Sequence, residues 1–148
     1  MKKIMIQATG FGTGVGKSFL VALFCRIFKK DGFSVCPFKA LNLTGVTFLK
    51  EGKEFGYSQA LQCIAAGIEP DFRTNPLTIK PKGNSLFDII FLGKVIKENY
   101  NPEKDFIFRV LKREKNRVNS IFKPGSSPPS ADLRGKPVTT KIWCEGKK

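Results

Sequence analysis

Apolar residues in the N-terminal part of the chain change their period twice. Ile4, Met5 and Ile6 are consecutive, as in a strand covered on both faces. After a glycine-rich interval, Leu20, Leu23, Phe24, Ile27 and Phe28 recur at helical spacing, with Lys29 and Lys30 in the last turn and Gly32 placed to cap it. FSVCPF then reads as a second strand. Residues 3–39 thus form one β-loop-α-β unit, and a right-handed crossover makes its two strands parallel. Positions 40–55 show no clear period and read as loop. GYSQALQCIAAG predicts a second helix, capped by Gly67 and closed by Pro70. NPLTIKPKG and SLFDIIFLGKVI read as extended segments, the second with a Gly-Lys turn at 93–94. Residues 103–122 have helical spacing through Phe108, Leu111 and Val118. Beyond Phe122 the chain carries four of its nine prolines and no sustained period, so it is expected to be irregular or disordered. There is no internal repeat. The pattern predicts a domain over 1–122, an irregular tail over 123–148, and a doubly wound, mainly parallel α/β sheet that is incomplete.

Composition narrows this picture. The 148 residues are 41% apolar, enough for one buried core. The longest apolar run, FLVALFCRIF, contains Arg26 and is too short for a membrane span. Lys2 and Lys3 precede an apolar run that stops at Gln7 without a cleavage site, so a cytoplasmic protein is expected. Cys25, Cys36, Cys63 and Cys144 lack metal spacing; the first three read as buried, reduced thiols in helix and strand patterns. The chain has no histidine. That excludes a Ser-His-Asp or Cys-His nucleophile and a His-ligated zinc, leaving acid–base work to carboxylates, lysines or water. The net charge is +14, half of it in residues 101–148. Such a field favours anionic partners, among them nucleotides and polycarboxylates. The basic residues are not interleaved with stacking aromatics, so nucleic acid is not the expected partner.

The interval between the first strand and helix, GFGTGVGKSF, is where chemistry enters. Glycines let backbone N–H groups converge on an anion, and the helix behind them adds unpaired N–H groups and a favourable dipole. Gly10, Gly12, Thr13, Gly14, Val15, Gly16, Lys17 and Ser18 are therefore candidate nucleotide-binding residues. Lys17 would reach the β/γ-phosphates, and the Ser18 hydroxyl would ligate Mg²⁺. The strict G-x-x-x-x-G-K-[ST] spacing fails by one place, because Phe11 stands where the first glycine belongs and the glycine is Gly10. A glycine-rich turn that holds no ligand is the plainer alternative. Partitioning and septum-site ATPases carry an extra lysine early in this loop; no lysine stands between Lys3 and Lys17.

The longer spacing, the flanking IMIQ and ALFCRIFKKDGFSV, and the run GKEFGYSQALQCIAAGIEPDFRTNPLTIKP resemble cobyric acid synthase, the glutamine-dependent amidase of cobalamin synthesis. The resemblance covers about residues 3–95. It implies a doubly wound synthetase domain related to dethiobiotin synthetase, using ATP and Mg²⁺. In that family ATP phosphorylates carboxylates of adenosylcobyrinic acid a,c-diamide and ammonia displaces the phosphate. Such a reaction needs charge neutralisation more than a base. By the same resemblance Lys39 is a second active-site cation with Lys17, and Asn42 and Gln59 are candidate substrate contacts.

Departures from the family fall at polar positions. Leu41 replaces a glutamine, Tyr57 an arginine and Ile64 a glutamate, while Asn84 stands at an acid and Leu86 at a glycine. Lys123 aligns with the family's Mg²⁺-binding glutamate; Asp88 could substitute but is expected to face solvent. The family's glutaminase half has no counterpart here, so ammonia would come from a separate glutaminase subunit or from solution. An open sheet edge would invite self-association. Three readings stay open: an ATP-dependent amide synthetase domain, a nucleotide-binding module that lost the ligase chemistry, and a non-catalytic remnant.

Overall fold

The computed structural model describes residues 2–7, 16–102 and 140–145 of the chain. Strand β1 (Lys2–Ile6) leads towards the glycine loop, and helix α1 (Lys17–Lys30) emerges from it. Strand β2 (Ser34–Lys39) follows, as the sequence predicts. A glycine and two hydrogen bonds explain why α1 stops where it does. Asp31 is the C-cap and Gly32 takes φ 84°, where a side chain would be strained. The Gly32 N–H donates to Lys29 O at 3.1 Å and the Phe33 N–H to Phe28 O at 3.0 Å, the paired bonds of a Schellman motif. The Phe28 and Phe33 rings close it edge to face at 6.3 Å.

β1 and β2 run in the same direction but do not pair with each other. Strand β9 (Thr140–Glu145) lies between them, antiparallel to both. Residues 140–145 belong to the segment expected to be irregular, so for them the expectation is corrected. KIWC offers only three consecutive apolar residues, Ile142, Trp143 and Cys144, too short a run to stand out from its flanks, and pairing on both sides supplies what local pattern does not. Ile6 and Lys39 both lie opposite Thr140, which sets the carboxyl ends of β1 and β2 level. They are two strand spacings apart, about 10 Å. The predicted helix over 103–122 and the rest of the tail lie outside the described residues.

A core of Val21, Cys25, Val35 and Ala66 joins α1, β2 and helix α2 (Tyr57–Ala65) beneath this sheet. α2 ends like α1. Gly67 has φ 69°, with Gly67 N–H to Ile64 O at 3.0 Å and Ile68 N–H to Cys63 O at 3.0 Å.

The region 40–55, read as loop, contains three short strands: β3 (Leu41–Leu43), β4 (Thr47–Lys50) and β5 (Lys53–Gly56). Strands of three or four residues are too short to display alternation. Their order comes from the Glu51–Gly52 turn, both residues at positive φ, and from the Phe48–Phe55 ring pair at 5.6 Å. β3 pairs in parallel with β6 (Leu77–Gly83), and β6 continues antiparallel to β7 (Leu86–Phe91) and β8 (Lys94–Tyr100). The molecule is of the α/β class. Its parallel relations are β3 with β6 and, across β9, β1 with β2. The β4–β5, β6–β7 and β7–β8 ladders are hairpins, because Glu51–Gly52, Asn84–Ser85 and Leu92–Gly93 take positive φ at both central positions and fold the chain straight back. The second turn therefore precedes the Gly-Lys pair that the pattern singled out by one residue. Among the described residues no helix is long and apolar enough to cross a membrane.

Candidate functional site

Of the predicted loop, Gly16, Lys17 and Ser18 are described; Gly10, Gly12, Thr13, Gly14 and Val15 lie outside the described residues. Gly16 is the N-cap of α1 at φ 81°, a conformation that glycine adopts freely, and its carbonyl accepts from the Leu20 N–H at 3.0 Å. No side chain caps this helix and no acidic residue stands in its first turn. Its N-terminal dipole is thus met by a lysine and a serine, an arrangement suited to an external anion.

Lys39 ends β2 at the level where β1 ends. Its Nζ donates to Asn42 Oδ1 at 2.6 Å. Burial and, after it, the positive field of Lys17 hold the Lys39 ammonium below its ordinary pKa of 10.5. Among the described residues no carboxylate is paired with Lys39. The two candidate cations therefore share one end of the sheet without neutralisation.

Asn42 is buried at 2% exposure, and its Nδ2 faces Asn75 Oδ1 at 3.5 Å. Gln59 is fully buried on α2, and among the described residues neither its amide nitrogen nor its oxygen has a hydrogen-bond partner. One turn further along α2, Gln62 Nε2 donates to the Ser18 carbonyl at 3.1 Å, while Gln62 Oε1 has no partner among the described residues. The structure thus brings Lys17, Lys39 and Asn42 together and ties α2 to the start of α1. Gln59 makes no hydrogen bond to these groups. Sequence reasoning missed Gln62, Asn75 and Gly56. The Asn-Pro dipeptide at 75–76 was a visible signal; nothing in the local pattern marks the other two. Gly56 is needed because a Cβ there would come within 2.0 Å of Asn42 Nδ2 and 2.8 Å of Asn75 Oδ1.

The carboxylates have other duties. Asp88, expected at the surface, is buried; it pairs with Lys82 Nζ at 3.0 Å and accepts from the Asn99 N–H at 3.1 Å. Glu54 accepts from Thr47 Oγ1 and Lys80 Nζ, each at 2.6 Å. Asp71 is paired with Arg73. Among the described residues no three acidic or thiol side chains cluster as a metal site. Ser18 is consequently the one sequence-predicted Mg²⁺ ligand for which a place can be given. Mg²⁺ commonly takes most of its ligands from phosphate and water, so a lone hydroxyl fits it only beside a bound phosphate. Cys25 and Cys63 are buried as expected, whereas Cys36 is exposed.

A strand leading into a glycine loop, a helix opened by Gly-Lys-Ser, and a second lysine ending the next parallel strand define an α/β domain of the phosphate-loop class. The chain belongs to the CobQ/CobB/MinD/ParA nucleotide binding domain family, whose model matches residues 6–124. Its curated relatives include the cobyric acid synthase of Clostridium botulinum (strain 657 / Type Ba4), 50% identical over 155 aligned positions. Those of Clostridium acetobutylicum and Clostridium tetani are 46% and 37% identical. Each alignment takes in 98% of this chain and 31% of the relative. The similarity therefore runs well past the segment 3–95 in which the motifs were recognised, and the chain spans about a third of the length of these relatives. No solved structure matches it.

Proposed function

We propose that this domain binds ATP at the Gly10–Ser18 loop and acts in the phosphorylating half of an amide synthetase, of the kind that the cobyric acid synthases name. The observation that carries this reading is the pair Lys17 and Lys39, which no carboxylate among the described residues neutralises. Lys17 opens a helix whose dipole attracts anions, and its field already depresses Lys39. An incoming triphosphate would relieve that repulsion. In the proposed reaction a substrate carboxylate oxygen attacks the γ-phosphorus, and the bond to ADP breaks. Ammonia then adds to the acyl carbon, phosphate departs with its bonding electrons, and the nitrogen gives up one proton to the departing phosphate or to water. Lys17 and Lys39 neutralise the phosphoryl oxygens as a carboxylate substrate, a corrinoid side chain, is phosphorylated; Asn42 and Gln59, expected as substrate contacts, are buried and act behind the site rather than on the substrate. Mg²⁺, held by the Ser18 hydroxyl and the phosphates, supplies further charge neutralisation when bound. Ammonia would come from solution or from a separate glutaminase.

A second reading keeps the nucleotide and drops the chemistry. It is favoured by the engagement of Asp88, Glu54 and Asp71 in ion pairs, which leaves none of them free for a cation.

Calorimetry of ATP binding with and without Mg²⁺ tests the common ground. Binding should tighten with Mg²⁺ and weaken at least roughly tenfold in Lys17→Ala, the scale of a charge-assisted hydrogen bond. A folded sample that binds no ATP would sink both readings. ADP release on adding a corrinoid carboxylate and ammonia separates the synthetase from the binding module.

A further inference from the structure

Asn75 lies where four segments meet, and its amide is 1% exposed. Its Oδ1 accepts from the Gly56 N–H at 3.0 Å and from the Thr78 hydroxyl at 2.9 Å, with Asn42 Nδ2 further off at 3.5 Å. Its Nδ2 donates to the carbonyls of Lys39 at 3.0 Å and Leu77 at 3.1 Å. Both amide donors and the oxygen's acceptor capacity are therefore in use.

Two of these contacts converge on one cation. The Lys39 carbonyl is held directly. The Lys39 ammonium is held through Asn42, whose Oδ1 it meets at 2.6 Å and whose Nδ2 faces Asn75. The side chain that grips both ends of Lys39 also fixes the first residue before α2, through Gly56. All the linking groups are neutral. A carboxylate at 42 or 75 would pair with Lys39 and compete with an incoming anion, whereas an amide orients the ammonium and leaves its charge available.

We propose that Asn75 is a positioning residue for Lys39, holding the ammonium at the end of β2 and, through Gly56, fixing it relative to the start of α2. This rests on the reading of Lys39 as a phosphate-facing cation. The charged group whose field reaches Lys39 is Lys17, at the start of α1; the α2 side chains nearby, Gln59 and Gln62, are neutral. A buried asparagine that merely stabilised the fold would cost stability without altering the chemistry of Lys39.

The test uses the full chain and its Asn75→Ala, Asn75→Asp, Asn42→Ala and Lys39→Ala variants. Lys39 acetylation is followed against pH by peptide mass spectrometry, with the same peptide in the denatured chain as reference, and ATP affinity is measured by calorimetry. In the folded wild type the Lys39 midpoint should lie below that of the denatured chain. Asn75→Ala should free and hydrate the ammonium, moving its midpoint towards the denatured value and weakening ATP binding by roughly tenfold. Asn42→Ala should reproduce that shift. Asn75→Asp, which adds a negative charge near the ammonium, should raise the midpoint at least as far; where the Asn75 variants do not fold, Asn42→Ala carries the test. An unmoved Lys39 midpoint in the folded Asn75 variants overturns the proposal. Unchanged ATP affinity in Lys39→Ala would instead remove the phosphate-facing reading, and the midpoint would still judge Asn75.

Discussion

Lys39 works against the fold that contains it. Its ammonium is partly desolvated and stands in the field of Lys17, so the folded chain gives up this proton more readily than the unfolded chain does. Below the lowered pKa both states are protonated and the fold bears the full penalty. Between that value and 10.5 the unfolded chain holds more protons, so this group makes the fold more stable as pH rises. Lys39→Met should therefore raise the melting temperature most at neutral pH, and the gain should shrink as the solution becomes alkaline. Paired thermal melts across the range check this; a gain that grows with pH would contradict it. A residue that costs stability at working pH is a familiar mark of a functional position.

At the scale of elements, two glycines show how different constraints look alike in sequence. Gly32 has φ 84° and open space around its Cα, so Gly32→Ala costs only backbone strain, about 1 kcal/mol. Gly56 has ordinary dihedrals but no room, because Asn42 and Asn75 sit where its Cβ would go. Gly56→Ala should cost more, about 2 kcal/mol, and should also weaken ATP binding by displacing Asn42 from Lys39. Denaturant titrations of the two variants, with ATP affinity measured beside them, provide the comparison. Gly32 was legible because helical period, terminal lysines and glycine coincide within one turn. Gly56 was not, since its reason lies in side chains brought from β3 and the Asn-Pro segment. The same division holds throughout. The strands β1 and β2 and the helices α1 and α2 could be read from local pattern, and with them the places of Lys17 at the start of α1 and Lys39 at the end of β2. The insertion of β9, the hairpin of β4 and β5, the burial of Asp88 and the Asn75 hub all depend on partners remote in the chain.

For the molecule as a whole, the element that matters most is the one that the sequence marks least. Among the described residues β9 is the sole pairing partner of β1 and the sole ladder between β1 and β2. Ile142 lies opposite both Ile4 and Pro37, so Ile142→Pro would remove a backbone donor from the centre of this sheet. Cooperative unfolding and ATP binding should be lost together, as read by circular dichroism and calorimetry; retention of either would show that β1 is supported some other way. This placement also governs time. Lys2 pairs with Cys144, so the strand that carries the nucleotide loop is closed by residues from the far end of the sequence. Contacts of such separation bear a large loop-closure cost and form late, after α1, α2 and the β6–β7–β8 meander can already have assembled locally. The loop would then be the last part of the domain to acquire a rigid base. A nucleotide gripping it would slow hydrogen exchange not at the loop alone but along β9, linking ligand occupancy to the final step of folding.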